Sequence, residues 1–251
     1  MVGLIKPEWS APAGVQSAFS LRSGGTSLPP WHSLNLGVHV GDDLDAVARN
    51  RRRLTEALAL PSQPWWLEQV HGTEVAIFEQ PAPLAETAVT ATRPIADAAV
   101  TRMAGVVLAI QVADCLPVLL TDDEGLVLGA AHAGWRGLVG GVLERTVEAM
   151  GVPGSHLRAW LGPSIGPAHF EVGEEVREAF TAAGDSASAF VPNPRGRWQC
   201  DLPALARARL RRLGVTRIAG GEWCTAADPM RFFSHRRDQR TGRMAALLWR
   251  C

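Results

Sequence analysis

Residues 105–133 read GVVLAIQVADCLPVLLTDDEGLVLGAAHA, and this stretch decides the fold. Two apolar, β-branched runs, 105–120 and 126–133, flank the polar tetrapeptide Asp122–Gly125. Such runs read as buried strands joined in a hairpin. Pro117 then belongs at a strand edge or a bulge, because it cannot donate to a ladder. If Asp122–Gly125 is the whole turn, Thr121 faces Leu126 and Cys115 faces His132. Directly opposed residues have Cβ atoms about 4.5–5.5 Å apart, and a bulge at Pro117 would undo this match.

Working outward, GLVGGVLERTVEAM (137–150) places Leu138, Val139, Val142, Leu143, Val147 and Met150 on one helical face, with Gly151 as C-cap. VARNRRRLTEALAL (47–60) repeats the pattern, with Asp42 or Asp43 as N-cap. LRAWLG (157–162), VTRIAG (215–220) and AALLWR (245–250) read as strands, EVGEEVREAF (171–180) and LPALARARLRRL (202–213) as helices. The mixture indicates an α+β domain, or α/β with antiparallel parts. PAPLAETAVTATRPIA (81–96) reads as an exposed loop within that domain.

Composition narrows the function classes. The chain has 251 residues, 47% of them hydrophobic and 20% charged, with 25 basic residues against 25 acidic ones. A neutral balance argues against nucleic acid as the main partner, and the apolar content argues against disorder. No apolar run is long enough to cross a membrane and no export signal stands at the start, so a cytoplasmic protein is expected. There is no tyrosine, so no phenol serves as acid, base or radical. The four cysteines, Cys115, Cys200, Cys224 and Cys251, show no C-x-x-C spacing and read as reduced thiols.

Among seven histidines, two lie in unusual surroundings. His71, in EQVHGTEV, ends an extended stretch, with Gly72 turning the chain. His132, in AAHAGWRG, ends a strand among small residues that admit a ligand. With Cys115, in VADCLPV, they make a Cys plus two His. That set suits zinc with one open position, or a Cys–His dyad for nucleophilic catalysis. Arg136 starts the helix after His132, where N-terminal amides favour anions, and is a phosphate candidate. LGPSIGP (161–167) can line a pocket or simply turn. RFFSHRRDQRTGR (231–243) can grip an anion through an arginine fork or face solvent. No P-loop or dinucleotide-binding motif is present.

QVHG (69–72), ADCLPV (113–118) and HAGWRG (132–137) resemble the signature of the YfiH/DUF152 family, the laccase-domain or peptidoglycan-editing-factor-like proteins. FSLRSGG (19–25), LNLGVHVGDD (34–43), LGPSIGPAHFEVGEEV (161–176) and FFSHRRDQRTGRMAALLW (232–249) extend the resemblance from about residue 15 to the end. It implies a single-domain αββα sandwich over residues 1–251, distantly like a cysteine-dependent deamidase toxin domain. It also implies zinc on His71, Cys115 and His132. The implied activities are phosphorolysis of adenosine, inosine and methylthioadenosine, and deamination of adenosine. Older descriptions of the family imply copper-dependent polyphenol oxidation, and bacterial members are linked to editing of peptidoglycan precursors.

A multicopper oxidase needs histidines beyond one blue-copper set, yet no H-x-H pair exists, although copper can occupy a three-ligand site. The partners that the resemblance implies are a purine nucleoside and phosphate. Asp114 is a candidate proton shuttle, although strand alternation points it away from Cys115. Asn35 is a candidate for hydrogen bonding the nucleoside. The competing enzyme reading is an amidase with Cys115 as nucleophile and His132 as base, acting on a nucleotide-linked muramyl amino acid. A non-catalytic metal-binding module is the third class.

Overall fold

A computed structural model describes residues 1–82, 89 and 92–251; residues 83–88, 90 and 91, within the stretch read as a loop, lie outside the described residues. The first half contains β1 (Leu4–Ile5), β2 (Val15–Ser20), α1 (Leu44–Leu58), β3 (Pro64–Trp65), β4 (Val75–Phe78), β5 (Ala98–Thr101) and β6 (Val107–Val112). There follow β7 (Leu116–Asp122), β8 (Leu128–Ala133), α2 (Trp135–Gly140), α3 (Val142–Met150), β9 (Leu157–Leu161), β10 (Glu171–Val172) and α4 (Glu174–Ala182). The chain closes with β11 (Phe190–Pro192), β12 (Trp198–Cys200), α5 (Leu202–Arg212), β13 (Arg217–Gly220), α6 (His235–Asp238) and β14 (Met244–Arg250).

Two mixed sheets form the frame, in the orders β1-β2-β14-β6-β3 and β13-β9-β7-β8-β5-β4, beside a small sheet β10-β12-β11. Strand alternation builds the layers. Leu108 and Ile110 of β6 and Ala246 and Leu248 of β14 meet Leu119, Leu128, Ala130 and Trp160 of the other sheet. Their neighbours Val107, Ala109, Ala245 and Leu247 turn outward and pack against Leu54 of α1. Val118, Leu120 and Ala131 turn the other way, onto Leu138, Val142, Leu143 and Val147 of α2 and α3 and Leu205 and Leu210 of α5. The result is the expected αββα sandwich. Both sheets are covered on both faces, which is why their strands read as unbroken apolar runs.

α1 begins where expected: Asp43 caps it by accepting from Asp45 N at 3.0 Å. Four expectations are corrected. The apolar run 105–120 is two strands, β6 and β7, in different sheets, because the chain crosses the sandwich at Ala113–Cys115 with Asp114 at φ +91°. The helix 137–150 is broken at Gly141, whose φ of +97° ends α2 and starts α3; Gly151 caps α3 as expected. The β7–β8 hairpin is two residues out of the expected register, pairing Pro117 with His132 and Thr121 with Leu128. Asp122 causes this by accepting from Leu126 N (2.7 Å) and Val127 N (2.9 Å), which enlarges the turn. Pro117 sits without a bulge near the start of β7, an inner strand, and its carbonyl accepts from Gly162 N at 2.9 Å.

Candidate metal centre

The crossing at Ala113–Cys115, the end of β8 and the loop before β4 meet at one end of the sandwich. There the ligand atoms of His71, Cys115 and His132 all lie within 4.8 Å of one another. Cys115 precedes β7 and so stands diagonal to His132 on the same face rather than opposite it. The left-handed Asp114 swings the thiol back toward the imidazole, which keeps the predicted trio together by a different route. Gly134 is required here: a Cβ would come within 2.9 Å of Cys115 Sγ and 3.1 Å of His71 Cδ2. The turn beside the first ligand is made by His71 itself, at φ +61°, and not by Gly72.

Asp97 explains how that backbone is held, and sequence reasoning missed it. Its carboxylate is 0% exposed and accepts from the backbone N–H groups of Val70 (3.0 Å), His71 (2.9 Å) and Gly72 (2.7 Å). The same group lies 2.8 Å from His132 Nδ1. A proton on Nδ1, donated to Asp97, leaves Nε2 as the free ligand atom. The signal in the sequence was an acid inside the otherwise apolar IADAAV (95–100), since a buried acid needs a partner. Burial opposes charge on Asp97, yet the His132 hydrogen bond and charge and the N–H groups of Gly72 and Val70 hold it below the usual carboxylate range.

Burial likewise opposes charge on both Cys115 and His132, but their mutual attraction outweighs it. The thiol is drawn down to about 6 by His132 and His71, and the imidazole is pushed up to about 9 by Cys115 and Asp97. Both shifts favour a thiolate–imidazolium pair. The donor set fits zinc: ligands at 2.1 and 2.3 Å in tetrahedral geometry stand about 3.6 Å apart, and His71 Nε2 lies 3.8 Å from Cys115 Sγ. A metal ion held by His132 would displace the proton from that imidazolium, so zinc affinity is expected to rise with pH while His132 sheds its proton and to level off above that range. A competition titration against a chelator of known pH dependence reads this rise; a flat profile contradicts it.

Over the donors lies a cleft of about 340 Å³, lined by His39, Gln69, Arg136, His235 and Arg243 among others, with an adjoining lobe of about 260 Å³ reaching Trp135, Phe170 and Arg236. Arg136 rests over the Trp135 ring at 4.5 Å, and neither Arg136 nor Arg243 pairs with a carboxylate among the described residues. Burial, followed by the charge of Arg243, pushes His39 down to about 4, so it is neutral near pH 7. His235 Nδ1 lies 2.7 Å from the Gln239 carbonyl, which fixes the ring. The basic run 231–243 is thus divided: Arg236 and Arg243 line the cleft, while Arg231 and Arg237 pair with Asp228 and Asp238.

Asn35 and Asp114 are both engaged in hydrogen bonds within the fold. Asn35 is buried, and both ends of its amide are used: Nδ2 donates to Gly37 O and Asp42 Oδ2, and Oδ1 accepts from Gly37 N and Arg243 N. Its segment reaches the cleft through His39 instead. The Asp114 carboxylate accepts from Thr225 Oγ1 (2.6 Å), Ser234 Oγ (3.0 Å) and Arg236 N (2.7 Å). Those three donors tie the crossing to the segment that carries Arg236, and Asp114 itself lines the second lobe. From LGPSIGP, Ile165 lines the second lobe and its N–H donates to Asp114 O at 2.8 Å.

Residues 16–251 match a family model described as multi-copper polyphenol oxidoreductase laccase. A purine nucleoside phosphorylase of Pseudomonas aeruginosa is 52% identical over 248 residues, covering 98% of this chain and 97% of its own. The purine nucleoside phosphorylase YfiH of Escherichia coli is 49% identical over 249 residues, 99% of each chain. A solved Neisseria meningitidis protein of the DUF152 family superposes with a TM-score of 0.90 at 44% identity, covering 99% of both chains. With motifs, fold and end-to-end similarity in agreement, the chain belongs to the YfiH/DUF152 family.

Proposed function

We propose that this protein is a zinc-dependent purine nucleoside phosphorylase, acting on adenosine, inosine and methylthioadenosine and also deaminating adenosine. One observation carries the reading. The His71–Cys115–His132 donors open into a cleft whose arginines, Arg136 and Arg243, have no carboxylate partner among the described residues. Unpaired guanidinium groups in a cleft call for an anion, and the two relatives above carry the phosphorylase name. When bound, zinc supplies Lewis acidity beside the nucleoside.

The chain's own groups do the rest. Arg136 and Arg243 hold phosphate, and neutral His39 offers one donor and one acceptor to the nucleoside. Asp97 keeps the His132 ring aimed inward. The phosphate role predicts that Arg136→Ala raises KM for phosphate by about 10- to 100-fold, the worth of a charge-assisted hydrogen bond, with little change in KM for the nucleoside. Initial rates at varied phosphate measure this; an unchanged phosphate KM removes Arg136 from the assignment.

The testing experiment is incubation of adenosine with the metal-replete protein, with and without phosphate, followed by chromatography. Adenine and ribose-1-phosphate formed only with phosphate support phosphorolysis, and inosine formed without it supports deamination. Unchanged adenosine overturns the proposal.

A second reading has its own observation, the Cys115 thiol within 4.8 Å of a His132 ring nitrogen, whose charge favours the thiolate. This would suit a thiol amidase acting on a muramyl amino acid, whose activity survives metal removal. Zinc is preferred over a copper oxidase because, among the described residues, one cluster of metal-ligating side chains is found where an oxygen-reducing copper enzyme needs more.

A further inference from the structure

A second cavity, of about 490 Å³, is bounded by residues 5–8, by Trp160 of β9 and by residues 219–223 at the end of β13. It shares no lining residue with the cleft over Cys115. Trp160 is only 3% exposed, yet its indole N–H has no hydrogen-bond partner among the described residues. Gly220 keeps that N–H open, because a Cβ there would lie 2.7 Å from Nε1 and 2.9 Å from Cδ1. No protein group among the described residues takes that N–H, so it is available to donate to an acceptor in the cavity. Trp223 stands at the mouth, 37% exposed, with the Arg231 guanidinium over its ring at 4.2 Å. Glu8, Glu222 and Lys6 also line the space, and none of them forms an ion pair among the described residues.

These groups specify a ligand. The Trp160 N–H asks for an acceptor, two carboxylates ask for N–H donors, and the indole of Trp223 asks for a flat π-face. Two acidic groups against one lysine disfavour a phosphate. We propose that this cavity binds an uncharged aminated heteroaromatic ring, an adenine-type base or its nucleoside, at a site separate from the catalytic cleft. Its size is in the range of small-ligand pockets. The inference rests on this cavity alone and stands or falls apart from the catalytic reading.

The test is calorimetric titration of adenine into the whole protein, which reads binding without turnover. Wild type and Cys115→Ala are expected to retain a common binding event. Trp223→Leu and Glu222→Gln, both at exposed positions, are expected to weaken that event at least about tenfold. Purine, which lacks the exocyclic amine, is expected to bind at least about tenfold more weakly than adenine, since a hydrogen bond to a carboxylate is lost. Unfolding midpoints of the two cavity variants check that the fold is kept. Absence of adenine binding, or binding equal in wild type and both cavity variants, overturns the proposal.

Discussion

Replacing Asp97 by alanine is expected to destabilise the protein by about 3–5 kcal/mol and to lower metal affinity about 10- to 100-fold. One carboxylate serves two ligands at once. Without it, the N–H groups of Val70, His71 and Gly72 lose their acceptor and the His132 imidazole loses the group that sets its proton. His71 holds a left-handed backbone that an unbraced loop has no reason to keep. The pH dependence follows the sign of the shift. Because the folded protein depresses the Asp97 pKa, its contribution is present above the ordinary carboxylate range and is lost as pH falls through the lowered value. Urea unfolding of wild type and variant at pH 7, with metal titrations on both, measures the two effects. Equal midpoints and equal affinities would show that Asp97 braces neither ligand.

Cys115→Ala is expected to remove activity by about a thousandfold or more, about 4 kcal/mol of transition-state stabilisation, while the unfolding midpoint moves little. The thiol is half-buried; it faces His71 and packs against the apolar core between the sheets, from which the alanine, keeping Cβ, removes a single sulfur atom. The variant is also expected to lose stoichiometric zinc. Metal analysis beside the rate separates two causes that the rate alone confuses. If wild-type protein stripped of metal keeps its activity while Cys115→Ala does not, the thiol is the nucleophile and the phosphorylase mechanism built on zinc fails.

Much of this architecture was legible in the residues because burial on both faces writes continuous apolar runs. The run 105–120 announced buried strands, and the motifs around His71, Cys115 and His132 announced their meeting. What could not be read was the crossing between sheets. Ala113, Asp114 and Cys115 sit inside an unbroken β-like stretch, and Asp114 turns the chain only because Thr225, Ser234 and Arg236 hold its side chain from far along the sequence. The hairpin register failed for a local reason, since Asp122 captures two backbone N–H groups and lengthens the turn. Asn35 shows the limit of assigning a role from residue type and motif position. Its polar atoms are spent folding the loop that delivers His39. Asp97 shows the reverse: no motif marked it, but an acid between apolar neighbours carries a physical signal of its own.

The three candidate metal donors occur within the first 132 residues, yet the strand beside β6, on which one side of their scaffold depends, is β14, formed by residues 244–250. β14 lies between β2 and β6, pairing with both, and its Met244 is opposite Val112 just before the crossing. An interrupted or clipped chain lacking residues 244–250 would carry the complete ligand set without the framework to align it. Deletion of residues 244–250 is therefore expected to weaken any metal binding by His71, Cys115 and His132 although all three side chains are retained.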